Sequence, residues 1–230
     1  MSGSMFNRGY DDVEKKVQER EERRANNVFR FWMPWQGNGN KTRIVFLDDN
    51  PPVYEEHQLK IDGSWKNWHT CLAQFGKPCP DCQAKNKNYT AAAYTIIDGT
   101  EWKDGKGNVH KNERKLYVVK LDSLKYLKEV SAKRGGLRGC IFEIMRTSDK
   151  SPSTGNQFDF DYKMTEAELK QFLKGHDDET LVKLLGKQPA DSIEPYDYDT
   201  ILAPKSEAEM AEQLDKAAAT SYEEDGNVRF

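Results

Sequence analysis

The sequence predicts a mainly β domain of the α+β class, with a five-stranded barrel of the OB type as its core. Short segments rich in β-branched and aromatic residues recur between residues 28 and 163, and turn-forming Gly, Pro and Asn residues separate them. One helix-like segment precedes the last two of these strands, and further helix-like segments follow them. Because strands and helices do not alternate regularly, the pattern excludes a doubly wound parallel sheet and favours a Greek-key barrel.

The first two predicted strands form a hairpin across a turn at residues 37–40. Two consecutive prolines then break the chain, and a polar, glycine-containing hairpin tip at residues 99–112 separates two later strands. In the last strand Phe158 and Phe160 flank Asp159, as expected of a half-buried strand. The predicted strands are VFRFWM (28–33), TRIVFLD (42–48), VYEEHQLKI (53–61), AAAYTIID (91–98), RKLYVVKL (114–121), GCIFEIMRT (139–147) and QFDFDYK (157–163).

Capping signals predict the helices. Ser123 is the predicted N-cap of the helix LKYLKEVSAKR, which ends at Gly135. Thr165 and Glu168 form a capping box ahead of a short helix, and the segment ETLVKLLG predicts another that its glycine ends. A C-terminal helix is expected over residues 206–219.

Composition and hydropathy exclude several classes of protein. Charged residues make up 32% of the 230 residues and the mean hydropathy is −0.89, so part of the chain is expected to lie outside a packed core. No apolar run approaches the ~20 residues of a membrane helix, and the N-terminus lacks the apolar segment of a signal peptide. The 4 cysteines favour a reducing cytoplasm over a disulfide framework. Residues 1–4, ahead of Met5, are typical of a remnant of recombinant expression.

The charge distribution divides the chain. Residues 1–154 carry 27 Lys and Arg against 20 Asp and Glu, a net +7, whereas residues 155–230 carry 8 against 18, a net −10. A basic body followed by an acidic region is typical of a polyanion-binding domain with a segment that could compete for the same surface. We predict a charged N-terminal arm at 1–26, a core at 27–190, and an acidic C-terminal helix and tail at 191–230.

Three of the four cysteines and two of the four histidines cluster in one stretch of chain. Cys71, Cys79 and Cys82 have the spacing C-x7-C-x2-C, and the tight turn CPDC lets two thiolates bind one metal ion. His57 or His69 would complete a tetrahedral site, and we favour His57 because His69 is only two residues from Cys71. The alternative is a redox pair, but such a motif opens a helix within a βαβ unit, whereas this one lies in a polar loop. We predict one structural zinc ion per chain.

The sequence offers little for catalysis. It contains no G-x-S-x-G, no G-x-x-x-x-G-K and no H-E-x-x-H motif. Asp48 and Asp49 could bind a divalent cation, but two acidic residues at a strand end are more typical of a turn. His110 and His176 lie in polar loops, and Cys140 lies in an apolar strand, where a buried free thiol is expected. Because a complete four-ligand zinc site leaves no position for an activated water, we expect no enzymatic activity.

Aromatic and basic residues interleave across the predicted core. Proteins that bind single-stranded nucleic acid stack bases on aromatic rings within a cationic groove. We expect Phe31 and Trp32 to lie in the core, whereas aromatic residues beside lysines elsewhere are predicted to face a ligand. The predicted nucleic-acid contacts are Lys41, Arg43, Trp65, Lys66, Trp68, Tyr94, Trp102, Lys103, Lys106, Lys111, Arg114, Lys115 and Tyr117.

The pattern H-x13-C-x7-C-x2-C at His57, Cys71, Cys79 and Cys82 resembles that of the zinc-containing, helix-destabilising single-stranded-DNA-binding proteins of tailed bacteriophages. The segments EHQLKIDGSWKNWHTC and YTIIDGTEWKDGKGN also look like this group, and the resemblance covers roughly residues 27–165. It implies an OB-fold core with a His/Cys/Cys/Cys zinc subdomain, an N-terminal arm that drives cooperative binding, and an acidic tail that contacts replication partners.

The resemblance also assigns regions of this chain. It implies a zinc subdomain at about residues 57–90 and a role in phage DNA replication, recombination and repair in the cytoplasm of the infected host. The implied partners are single-stranded DNA and, through the tail, a polymerase, helicase or primase. The expected docking residues are Glu223, Glu224, Asp225 and Phe230.

We therefore predict a protein that binds single-stranded DNA without sequence preference. One alternative is a zinc-dependent nuclease or nucleotide-processing enzyme, which would consume its substrate in a metal-dependent way. The other is a zinc-ribbon adaptor that contacts a host polymerase without binding DNA, so single strands would not quench its tryptophan fluorescence.

Overall fold

The computed structural model describes residues 28–37, 39–175 and 177–226, so the arm predicted at 1–26 lies outside the described residues. Within them the chain folds as an α+β domain dominated by antiparallel strands. The strands are β1 (Asn40–Phe46), β2 (Val53–Ile61), β3 (Ser64–Thr70), β4 (Asn88–Asp98), β5 (Trp102–Lys103), β6 (Val109–His110), β7 (Glu113–Lys120), β8 (Cys140–Arg146) and β9 (Gln157–Lys163). The helices are α1 (Pro80–Gln83), α2 (Leu121–Arg134), α3 (Glu166–Leu173), α4 (Glu179–Leu185), α5 (Tyr198–Ile201) and α6 (Glu207–Gly226), and a 3-10 turn spans Leu72–Phe75.

In the described part of the chain, seven strands form one sheet around β4, its longest strand. Along one edge β4 pairs with β7, and along the other it pairs with β2 near its start and with β1 near its end. β1 pairs in turn with β8, and β8 with β9, which gives the order β7-β4-β1-β8-β9. β3 forms a hairpin with β2, while β5 and β6 form a separate small hairpin.

The main core lies on one face of this sheet. Successive side chains of a strand point to opposite faces, so alternate residues of β1, β4, β7 and β8 point inward. The ring of Phe46 packs edge to face against Tyr94, Tyr117 and Phe142, with centroid distances of 5.1, 5.9 and 5.5 Å. Leu127 of α2 completes this core, which therefore depends on aromatic packing.

A second core lies on the opposite face. Val45 of β1 and Ile97 of β4 pack there against Leu169 of α3 and Leu181 of α4. The helices α3 and α4, from the acidic C-terminal part of the chain, therefore cover the face of the sheet opposite the main core.

The predicted helices agree with their capping signals except in two bounds, whereas the short helices α1 and α5 are not predicted. The capping box of Thr165 and Glu168 and the stop at Gly135, which has φ +65°, are confirmed. α2 begins at Leu121 with Lys120 as its N-cap, and not at Ser123, because β7 runs directly into the helix. α6 extends beyond its predicted end to Gly226. None of the helices in the described part of the chain is long and apolar enough to cross a membrane.

The predicted hairpin between residues 28–33 and β1 is wrong. These residues, here the N-terminal segment, are extended but lie beside β7, where the Phe31 N–H donates to the Leu116 carbonyl at 2.8 Å. The Met33 N–H donates to the Ser153 carbonyl, in the loop between β8 and β9, at 2.7 Å. The N-terminal segment therefore fills the space between β7 and the β8–β9 loop.

The sheet is not closed by strand pairing. Within the described ranges no ladder joins β7 to β9, the two ends of the five-strand order. The Tyr117 hydroxyl donates a hydrogen bond to the Thr154 carbonyl at 3.0 Å, which holds β7 near the β8–β9 loop, on the same side as the N-terminal segment. The prediction of a mainly β, α+β fold is confirmed.

Candidate metal centre and aromatic groove

Four of the predicted metal ligands converge on one point. His57 lies on β2, Cys71 directly follows β3, and Cys79 and Cys82 lie at the start of α1. One donor atom from each of the four side chains lies within 4.8 Å of every other. The β2–β3 hairpin and the single turn of α1 thus hold a group that could bind a metal ion.

The spacing of the donor atoms fits a tetrahedral ion. The Cys71 sulfur lies 3.8 Å from that of Cys79 and 3.6 Å from that of Cys82. The His57 Nε2 lies 3.5 Å from the sulfurs of Cys79 and Cys82. Zinc with Zn–S bonds of about 2.3 Å and a Zn–N bond of about 2.0 Å would separate two sulfurs by about 3.8 Å, and sulfur from nitrogen by about 3.5 Å. The group is therefore compatible with a zinc site.

Neighbouring groups orient these ligands. The Cys71 N–H donates to the Glu55 carbonyl at 2.8 Å, and the Asn88 side chain donates to the Cys71 sulfur at 3.8 Å. Burial lowers the pKa of His57, which favours the neutral imidazole that can bind a metal ion. Hydrogen bonds from outside the donor group thus hold Cys71 in place.

His69 does not belong to the donor group. It faces His57 across the β2–β3 ladder, but its Nε2 contacts the carboxylate of the buried Asp81, inside the CPDC turn. Asn86 donates to the same carboxylate at 2.9 Å. Burial would raise the pKa of Asp81, but the hydrogen bonds from His69 and Asn86 outweigh it and lower that pKa. His69 therefore braces the turn that carries Cys79 and Cys82.

The C-terminal helix packs directly on the candidate metal centre. Met210 of α6 is buried in one cluster with Cys71 and Cys79. Just before the helix, the Leu202 carbonyl accepts a hydrogen bond from the Thr70 hydroxyl at 2.7 Å. The metal-binding hairpin and α6 therefore share a buried surface.

An open cavity of about 220 Å³ lies where the N-terminal segment, the β2–β3 hairpin, β7 and the β8–β9 loop meet. We call it the aromatic groove. The Trp32 and Trp68 rings lie 6.2 Å apart at 54° on one side, and the Lys120 ammonium lies 4.4 Å from the centre of the Tyr89 ring. The residues that line the groove are Arg30, Phe31, Trp32, Gln58, Trp68, Tyr89, Val118, Lys120, Lys150, Pro152, Ser153 and Thr154.

Of the predicted nucleic-acid contacts, Trp68 is the one that lines the aromatic groove. Trp65 is 52% exposed on the same strand, and Lys66 also belongs to β3. The prediction that Tyr94 and Tyr117 contact nucleic acid is wrong, because both side chains are buried in the main core.

A second group of predicted contacts lies at the other end of β4 and β7. Trp102 of the β5–β6 hairpin stacks on His110 with a centroid distance of 4.3 Å and an angle of 14°. Lys103 and Lys106 are exposed on this hairpin, and Lys111 follows it. These residues form an exposed tip that is separate from the groove.

The remaining predicted cations have carboxylate or carbonyl partners within the protein. Lys41 pairs with Glu143 at 3.0 Å, and Arg43 pairs with Asp161 at 2.9 Å. Lys115 pairs with Asp98 at 2.7 Å. The Arg114 guanidinium donates to the Glu194 carbonyl at 2.9 Å and lies over the Tyr196 ring at 4.3 Å. These contacts tie the cations to neighbouring segments, and their binding to nucleic acid stays a prediction.

Sequence reasoning missed most of the groove. Arg30, Tyr89 and Lys120 line the groove but are not among the predicted site residues, and Trp32, which is expected in the core, is half-buried at the groove. Strand alternation could have placed Trp32 at the surface. Phe31 and Met33 are buried, so Arg30 and Trp32, which alternate with them, point to the opposite side. The acidic residues Glu223, Glu224 and Asp225 fall within α6, and Phe230 lies outside the described residues.

No protein-family model matches this chain, and none of the curated proteins is similar to it in sequence.

Proposed function

We propose that this protein binds single-stranded DNA without sequence preference and is not an enzyme. The observation that carries the proposal is the aromatic groove, in which Trp32, Trp68 and Tyr89 lie beside Arg30 and Lys120. Single-strand binders combine stacking rings with cations along the backbone path, and every base has a face that can stack. Ligand bases would lie on the rings, while phosphates would contact Lys120 and Lys150.

The order of the strands supports an OB-type core. If β1, β4, β7, β8 and β9 are taken as OB strands one to five, the helix α2 falls between the third and fourth. An OB-fold is a partly open five-stranded barrel, and it binds oligonucleotides on strands two and three and on the loops between strands one and two and between strands four and five. The groove lies at the corresponding place, since β4, β7, the β2–β3 insertion and the β8–β9 loop contribute to it.

The donor set supports zinc as the metal. Three thiolates and one imidazole are ligands that zinc prefers, and His57, Cys71, Cys79 and Cys82 would hold it in a closed tetrahedral site. Zinc so bound would supply folding free energy to the β2–β3 hairpin and α1, which carry Trp68 and Gln58 of the groove. A closed site offers no position for an activated water, which disfavours the nuclease alternative.

The proposed setting is the replication, recombination and repair of phage DNA in the cytoplasm of an infected bacterium, as the resemblance of the zinc motif implies. The acidic C-terminal end would contact a polymerase, helicase or primase, with Glu223, Glu224, Asp225 and Phe230 as docking residues. The net −10 of residues 155–230 supports a role for this end in charge-based contacts.

Tryptophan fluorescence of the full chain, titrated with oligo-dT at two salt concentrations, tests this function. We expect quenching by the single strand and little quenching by duplex of the same length. Quenching should be weaker at high salt, because binding releases counterions from the DNA and added salt makes that release less favourable. A chain that carries one zinc ion but is not quenched would overturn the proposal and favour the adaptor alternative. Metal-dependent shortening of the oligonucleotide would favour the nuclease.

A further inference from the structure

Glu56 is a fully buried carboxylate that contacts Arg30 and Tyr89, two residues of the aromatic groove. It accepts hydrogen bonds from the Tyr54 hydroxyl at 3.0 Å and the Tyr89 hydroxyl at 2.7 Å. Arg30 supplies the other donors, through its Nη1 at 3.0 Å and through its Nη2. An ionised carboxylate has about four acceptor positions, so the network satisfies Glu56 within the protein.

This network fixes the guanidinium of Arg30 in one orientation. Its Nη1 and Nη2 are bound to Glu56, and its central carbon lies over the Trp68 ring, 4.5 Å from the ring centre. Burial would lower the pKa of Arg30, but the hydrogen bond and the charge of Glu56 outweigh it, so the group stays cationic. The side chain keeps 19% of its surface exposed, and it lines the groove together with Trp32 and Tyr89.

Such an arginine is poorly suited to bind phosphate. Phosphate recognition by arginine uses paired N–H groups and the positive charge, and Glu56 already binds Nη1 and Nη2 and offsets that charge. The planar face of a guanidinium remains available, and nucleobases stack on arginine planes as they do on aromatic rings. The part of Arg30 best suited to a ligand is therefore its planar face.

We propose that Arg30 is a stacking platform for a nucleobase and that Glu56 is the positioning residue that holds it. This inference rests on the proposed function and names the part of the ligand that Arg30 recognises. Trp68 packs against the guanidinium, and the Tyr89 hydroxyl donates to the same Glu56 oxygen that Arg30 Nη1 binds. Phosphate recognition falls instead to the lysines of the groove.

The test compares Arg30→Lys with the wild-type full chain. Lysine keeps the charge and can pair with Glu56, but it has no planar face. Binding is measured with oligo-dT and with an abasic deoxyribose-phosphate strand of the same length, each over a range of salt concentrations. We expect Arg30→Lys to bind oligo-dT about 5- to 100-fold more weakly, which corresponds to one lost stacking contact. Its affinity for the abasic strand and its salt slope should be unchanged.

Lys150→Gln, in the β8–β9 loop of the groove, is the matched control. It should weaken binding of both strands equally and reduce the salt slope by about 0.7, the share of one phosphate contact on a single strand. If Arg30→Lys behaves like Lys150→Gln, or if it binds both strands as the wild type does, the platform is excluded although the proposed function stands. If the wild type binds neither strand, both proposals fail.

Two variants test the positioning residue. Glu56→Gln should reproduce the selective loss of oligo-dT affinity, because a neutral amide holds the guanidinium less firmly. Tyr89→Phe removes one donor to Glu56 and leaves Arg30 intact, so it should give a smaller loss of the same kind even if Glu56→Gln folds poorly. Unfolding midpoints and metal content establish that each variant is folded, and oligo-dT affinity unchanged in a folded Glu56→Gln would overturn the role of Glu56.

Discussion

Met210 of the C-terminal helix and Cys71 of the candidate metal centre lie in one buried cluster, and neither side chain has exposed surface. The C-terminal helix thus docks on a structure whose folding we expect to depend on metal. In small metal-binding domains the metal-binding free energy is part of the folding free energy. Removing the ion should therefore also weaken the packing of α6 on the metal centre.

We predict that removing the metal releases α6 from the domain. Hydrogen–deuterium exchange of the full chain, with and without a chelator, should show faster exchange over residues 207–219 in the metal-free protein. Met210→Ala is the matched control: it should also weaken protection of α6, with a cost to stability of about 2–5 kcal/mol, but should keep the metal. Unchanged protection of α6 after complete chelation would contradict the coupling.

Cysteine variants should separate ligands from the remaining thiol. Cys79→Ser is expected to abolish stoichiometric metal binding, because it removes one of four donors from a closed site. Cys140 is buried in the main core, where its sulfur contacts the Gly136 carbonyl at 3.6 Å, so Cys140→Ala should retain one ion per chain. Elemental analysis of the two purified variants measures this, and equal metal content in both would rule out the predicted ligand set.

A pH-dependent effect is expected at Asp48, which accepts a hydrogen bond from the Tyr198 hydroxyl and one from the Thr95 N–H at 2.8 Å. Burial raises the pKa of Asp48 above 3.8 in the folded protein. The ionised form is therefore disfavoured by folding, and this group's contribution to stability falls as pH rises from the unfolded pKa to the higher folded pKa. Tyr198→Phe removes a donor to the carboxylate and should raise this pKa further.

Tyr198→Phe should accordingly cost most, about 1–3 kcal/mol, at high pH, where the ionised fraction of Asp48 is largest, and less as pH is lowered towards 4. Tyr196→Phe is the control, because the Tyr196 hydroxyl donates to the Arg114 carbonyl at 2.8 Å and that acceptor does not titrate. Denaturant unfolding at several pH values measures both. A cost of Tyr198→Phe that is the same at pH 7 and pH 4 would refute the assignment.

The two tryptophans of β3 should differ in their effect on DNA binding. Trp68 lines the groove, so Trp68→Ala should weaken binding of oligo-dT about 5- to 100-fold and remove much of the fluorescence quenching. Trp65 is 52% exposed and does not line the groove, so Trp65→Ala should bind nearly as the wild type does. Equal losses in the two variants would place the ligand elsewhere on the hairpin.

The metal centre could be predicted from the sequence because its ligands lie close together along the chain. Cys79 and Cys82 are joined by one turn, and the choice of His57 over His69 followed from the short spacing between His69 and Cys71. The spacing could not predict that His69 contacts Asp81, because the two side chains meet only when the α1 turn folds back on β3.

The groove could not be predicted in the same way, because its walls come from distant parts of the chain. The pairing of the N-terminal segment with β7, through Phe31 and Leu116, depends on where the whole sheet places β7. Tyr89 and Tyr94 illustrate what was available locally. They lie five residues apart on one strand, so they point to opposite faces, and only Tyr94 shares the inward phase of Ala92 and Ile96.

The N-terminal segment has a consequence for how the protein acquires its groove during synthesis. Arg30 and Trp32 leave the ribosome early, yet the hydrogen bonds that place them join Phe31 to Leu116 and Met33 to Ser153. Contacts of such long sequence separation form late, because their loop-closure entropy is not offset until the intervening chain is ordered. A nascent chain that ends before residue 153 can therefore carry the complete metal motif and still lack the groove. Competence to bind a ligand would be acquired only after residue 153 has left the ribosome.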